Sequence, residues 1–184
     1  MMATRELQQT ASPAWYVLFV QSRQEEKVKK ILELQVGDQF QYIIPKRKLR
    51  ERKNGQWRLI ERKLFPSYIL VNGILTIESY YQIKKVPDII KFLRDEEAVL
   101  TLDEKELKVL NLLINQEDNT VGISTLYKEH DKIRVVTGPL VGLEGLIVSV
   151  NQRKGRAKVR LSLANQEKVV ELGIEVVQAL TPTN

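Results

Sequence analysis

The chain of 184 residues has no cysteine and one histidine, His130. Without thiols it can form no disulfide, Cys-ligated zinc site, iron–sulfur cluster or thiol nucleophile, and this usage favours a reducing, cytoplasmic setting. One histidine excludes a two-histidine metal site and any Ser-His-Asp triad built on another imidazole. Long apolar runs are also missing. The longest, Ala14 to Val20, has seven residues against the roughly 20 that a spanning helix needs, and no charged-then-apolar leader precedes it, so neither a membrane span nor a targeting segment is expected. Catalytic groups are sparse. Glu25-Glu26 and Asp103-Glu104 fall in the first turns of expected helices, where they offset the helix dipole. Asp95-Glu96-Glu97 sits in a loop, and His130 reads as a surface imidazole. The glycine-rich run Gly138 to Gly145 matches neither a dinucleotide fingerprint nor a phosphate-binding loop. No enzymatic activity, cofactor or metal is expected.

Positive charge is what the chain does have, and it is concentrated. The net charge is +6 and the pI about 9.4. Residues 46 to 63 carry nine basic and two acidic groups, a net +7, and residues 125 to 184 carry nine and six, a net +3. The rest of the chain is therefore mildly acidic. Such patches are what a polyanionic partner requires.

Periodicity supplies a coarse map. Trp15 to Val20 is apolar at every position, as in a central strand covered on both faces. Ser22 to Glu25 has capping-box spacing and predicts a helix that runs to Gly37. Phe40 to Ile44 reads as a strand, and Asn54-Gly55 turns the basic stretch into a long protruding β-hairpin. Tyr68 to Val71 is a strand, Thr76 to Lys85 a helix, Ile89 to Leu93 a strand, and a capping box at Asp103 to Glu106 opens a third helix. Short strands follow at 132–136, 143–150, 156–163, 169–172 and 176–178, with turns at Gly138-Pro139, Gly155 and Gly173. The expected fold is α+β: an antiparallel sheet with helices, then a small all-β barrel.

Four segments carry a family resemblance. Trp15 to Val20, Leu64-Phe65-Pro66-Ser67-Tyr68-Ile69-Leu70-Val71, Val86-Pro87, and Asp131 to Val135 continuing through Gly138-Pro139-Leu140-Val141-Gly142-Leu143-Glu144-Gly145 resemble, in order and spacing, the NusG family of transcription elongation factors. The resemblance covers about residues 14 to 180. It implies a tail at 1–13, an NGN domain at 14–114, a linker at 115–126 and an SH3-like KOW barrel at 127–180. It also implies a non-enzymatic, monomeric factor whose NGN domain docks on the clamp helices of RNA polymerase. Carried over by position, the docking surface is Phe19, Phe65, Pro66, Tyr68, Leu70 and Phe92. Lys46, Arg47, Lys48, Arg50, Arg52 and Lys53 of the hairpin would then lie near upstream DNA.

Departures from the family pattern point to a specialised member. A Phe before Gly-Arg serves the general factor in contacting a ribosomal protein or Rho; this chain has Ala164-Asn165-Gln166 there. The His-Thr-Thr element of one specialised paralogue is replaced by Glu78-Ser79-Tyr80. In exchange, Arg153, Lys154, Arg156, Lys158 and Arg160 put five basic residues in eight with no acid, and strand alternation points Lys158 and Arg160 outward with the turn residues. In this the chain is most similar to the LoaP-type antiterminators, which bind an RNA hairpin in an operon leader. The alternatives are a general elongation factor coupling to ribosome or Rho, and a KOW-containing ribosomal RNA-binding protein. The latter would need neither the F-P-x-Y strand nor a companion domain of such length.

Overall fold

Alternating burial and turn chemistry account for most of the elements. The structure, a computed structural model, describes residues 12–129 and 132–177; His130, most of the N-terminal tail and the expected strand end at Gln178 lie outside them. In chain order the elements are β1 (Ala14–Val20), α1 (Glu25–Gln35), β2 (Phe40–Ile43), β3 (Lys46–Lys53), β4 (Gln56–Lys63), β5 (Tyr68–Gly73), α2 (Ile77–Lys84), β6 (Ile89–Phe92) and α3 (Glu104–Leu113). They continue with β7 (Thr120–Val121), β8 (Ser124–Glu129), β9 (Lys132–Thr137), β10 (Ile147–Asn151), β11 (Arg156–Leu163) and β12 (Gln166–Val176). The chain divides into two units. The first holds residues up to 44, 65–106 and 163–166; the second holds 45–64, 107–162 and 167 onward.

The first unit is a sheet of order β2-β5-β1-β6, with β5 antiparallel to both β1 and β2 and β6 antiparallel to β1. Its helix-side core joins Tyr16, Leu18, Val20, Phe40, Ile69, Val71 and Phe92 to Val28 and Leu32 of α1 and to Tyr80 and Ile83 of α2. Thr76 caps α2 in a reciprocal box with Ser79. The expected box of α3 is also present: Asp103 Oδ1 accepts from the Glu106 N–H at 2.8 Å, and Glu106 Oε2 from the Asp103 N–H at 3.0 Å.

In the second unit, β3 and β4 pair in register from Lys46↔Lys63 to Lys53↔Gln56. Asn54 and Gly55, with φ 52° and 79°, form the turn that a two-residue hairpin demands. A five-stranded sheet has the order β10-β11-β12-β8-β9. Along β11, Ala157, Val159, Leu161 and Leu163 are buried while Lys158, Arg160 and Ser162 face out. The architecture is α+β.

Five local expectations are corrected. Helix α1 begins at Glu25, not Ser22, and has no side-chain cap. Arg23 takes φ 69°, and the Glu25 carboxylate, buried, accepts instead from the Ser67 N–H at 2.7 Å. The expected strand 143–150 starts with a 3-10 turn, Glu144–Leu146. Gly173 is not a turn: β12 runs through it unbroken. The segment read as a linker contains β7 and the start of β8, with β7 parallel to β3. The hairpin does not protrude freely, because its first strand lies against β12.

Candidate nucleic-acid interface

Strand register sorts the expected docking residues. Phe19 pairs with Tyr68 and Val17 with Leu70, so these four share the sheet face opposite the helices. Phe19 and Tyr68 are half-buried, with ring centroids 5.3 Å apart at 38°, and Pro66 beside them is exposed. Phe65 and Leu70, expected at the surface, are only 3% and 4% exposed. Phe92 is corrected more completely. It pairs with Leu18 and therefore points into the helix-side core, stacked on Tyr80 at 5.3 Å and edge-on to Tyr16 at 6.3 Å. Alternation gives the face of a side chain but not what covers that face.

Much of the hairpin's charge is used internally. The Arg47 guanidinium donates to the Glu171 carbonyl at 2.6 Å; burial lowers its pKa, with Glu171 opposing and Arg156 adding to that shift. Lys48 pairs with Asp118 at 3.1 Å. Hydrogen bonds from Thr120 and Lys48 hold the Asp118 carboxyl below the usual range. Arg50 reaches Glu175 at 3.3 Å, and Arg52 Nε donates to the Gly55 carbonyl at 3.2 Å. Lys46 is half-buried, and Lys53 is exposed at the tip. A Cβ on Gly173 would lie 2.5 Å from the Lys48 carbonyl oxygen, so glycine is what lets β12 approach β3 this closely.

The basic turn after β10 is tied to the same strand. Its Gly155 carbonyl accepts from the Ile174 N–H at 3.1 Å, and Asn151 Oδ1 accepts from the Lys154 N–H at 3.0 Å. Arg153, Lys154, Lys158 and Arg160 are exposed, with Arg160 3.4 Å from Glu167. Arg156, expected to point outward with them, is 8% exposed. Its guanidinium donates to the Lys154 and Gly155 carbonyls at 3.2 Å each and lies 4.0 Å from Glu51 of the hairpin. It shapes the turn from behind. Hairpin and turn flank a cleft of about 500 Å³ whose lining includes Arg50, Trp57, Arg58, Arg153, Lys154 and Glu175. Trp57 was missed by sequence reasoning; an aromatic two residues past a basic Asn-Gly turn was the available signal.

A family model described as "Transcription termination factor nusG" matches residues 13–111. The transcription termination/antitermination protein NusG of Chlamydia trachomatis is 33% identical over 165 residues, 85% of this chain and 89% of the relative. The chain belongs to the NusG family. Its Bacillus subtilis relative of the same description is 26% identical over 167 residues, 86% and 93% of the two chains. A solved structure described as "Domain interaction in Thermotoga maritima NusG" shares the fold, with TM-score 0.54 and 21% identity over 88% of this chain and 93% of that one. In this NusG-family chain the Ala164-Asn165 turn takes left-handed φ values of 50° and 60°, and the Asn165 N–H donates to Glu106 at 2.9 Å. Among the described residues no group of three or more His, Cys, Asp or Glu side chains could hold a metal, and no helix is long and apolar enough to cross a membrane.

Proposed function

We propose that this NusG-family protein is a specialised, LoaP-type antitermination factor of the cytoplasm. It docks on the clamp helices of RNA polymerase through Phe19, Pro66 and Tyr68, presents Arg52 and Lys53 to upstream DNA, and binds a leader RNA hairpin with Arg153, Lys154, Lys158 and Arg160. One observation carries the RNA reading: Arg153, Lys154 and Lys158 are exposed together and make no side-chain ion pair or hydrogen bond among the described residues. Cations left together without counter-charge favour a polyanion, and phosphate contacts of this kind recognise a folded RNA by its shape. The domain reading of NGN at 14–114 and KOW at 127–180, joined in a monomer, belongs to the same proposal. A second reading, the general elongation factor, draws support from relatives that are described as termination/antitermination proteins.

The test is direct. The full-length protein is expected to retain core polymerase in a pull-down and to bind a structured RNA more tightly than a single strand of equal length. Lys154→Ala with Lys158→Ala is expected to weaken that binding and to reduce the salt slope by about 2. Polymerase binding without hairpin preference favours the general factor. Hairpin binding without polymerase binding favours a ribosomal RNA-binding protein.

A further inference from the structure

We infer that the cleft between the hairpin and the basic turn is a stacking site for one unpaired nucleotide of the bound RNA, with Trp57 as the platform. The inference rests on the RNA-hairpin reading above but adds a ligand geometry that reading lacks. The cleft, of about 500 Å³, is within the range of about 300–1,000 Å³ typical of small-ligand pockets. Trp57 is 57% exposed and its neighbour on the same strand face, Leu59, 60%, an unusual amount of apolar surface to leave in water beside so much charge. Arg58, Arg153 and Lys154 line the same cleft and make no side-chain ion pair among the described residues. Among the described residues its one acid, Glu175, is paired with Arg50. A flat apolar surface ringed by free cations suits a ligand that is planar at one end and anionic at the other. A nucleotide has that form.

A base within a duplex has both faces covered by its neighbours, so only a bulged, looped or displaced base can lie on the indole. The cleft is also held in shape. Arg47 and Gly173 fix the hairpin to β12, and the Gly155 carbonyl fixes the basic turn to Ile174 of the same strand. Platform and cations are thereby held in one place before ligand arrives, which lowers the ordering cost of binding.

The experiment uses the full chain and four probes: a fully paired RNA hairpin, the same hairpin with one bulged adenosine, a single-stranded RNA of equal length, and the bulged hairpin as DNA. Trp15→Phe leaves Trp57 as the single tryptophan, read by selective excitation above the tyrosine band. The bulged RNA is expected to bind about tenfold more tightly than the paired one, since one stacked base contributes that order of affinity, and to quench Trp57. Trp57→Ala is expected to abolish the difference and Trp57→Phe to retain most of it, with unchanged melting of both variants. Hairpin binding with no bulge preference and no quenching overturns the stacking site and leaves the hairpin reading intact. Bulged RNA bound no better than single strand, with Trp57→Ala weakening both, keeps the stacking site and overturns the hairpin reading. Equal binding and quenching by the bulged DNA overturns RNA as the source of the nucleotide.

Discussion

Tyr42 carries a hydroxyl that is buried without a hydrogen-bond partner among the described residues, and burial, aided by Glu33, raises its pKa from 10.0 to about 12. The folded state therefore keeps its proton where the unfolded state loses it. This contribution to stability is complete below pH 10 and is lost as pH rises toward 12. Tyr42→Phe is expected to remove that alkaline loss and, by deleting an unsatisfied group, to be neutral or stabilising by up to about 1 kcal/mol at pH 7; urea midpoints at pH 7 and near pH 12 measure both. Gly173→Ala places a methyl against the Lys48 carbonyl and is expected to cost about 1–3 kcal/mol. Gly145→Ala, which meets nothing within 4 Å, serves as the near-neutral control. On the aromatic face, Phe19→Ala and Tyr68→Ala are expected to weaken polymerase binding by about 2 kcal/mol each with little loss of folding. Phe92→Ala is expected to cost about 3–5 kcal/mol of stability. Sequence could name these aromatics but not separate them: the surface and core members differ only in which strand position they pair with.

Helix α1 shows how a local signal can be outbid by a tertiary one. Ser22 and Glu25 have the spacing of a capping box, but the carboxylate is taken by the Ser67 N–H, 42 residues on. Ser22→Ala is therefore expected to change stability by less than about 0.5 kcal/mol, whereas Glu25→Ala leaves a part-buried N–H unsatisfied and is expected to cost about 1–3 kcal/mol. Thermal melts of the two variants decide it. Asp103→Ala, which removes a cap that is made, belongs between them at about 1 kcal/mol. Signals that depend only on neighbours were legible: the Asn54-Gly55 turn, the cap of α3 and the alternation of β11. Elements fixed by distant chain were not. Gly173 reads as a turn because the Lys48 carbonyl that requires it lies over 120 residues earlier, and Arg156 reads as outward because Glu51 lies over 100 residues earlier.

For the molecule, the density of charge overstated the number of cations free to bind. Arg47, Lys48 and Arg50 hold the hairpin in place, so reversing Arg50 is expected to disturb folding as well as binding. Reversing Arg52 and Lys53 is expected to leave the melting temperature unchanged while lowering affinity for a transcription elongation complex and flattening its salt dependence. The anchoring has a consequence for synthesis. Arg47 meets its acceptor 124 residues later and Arg50 its partner 125 residues later, so a ribosome must make Glu175 before the cleft has its second wall. The hairpin is a basic ribbon with no later strand beside it until Asp118 and β7 are made, and it gains its anchor to β12 only near the end of translation. Nucleic acid reaching the nascent chain meets charge without shape, and selectivity is acquired only as the final strand is delivered.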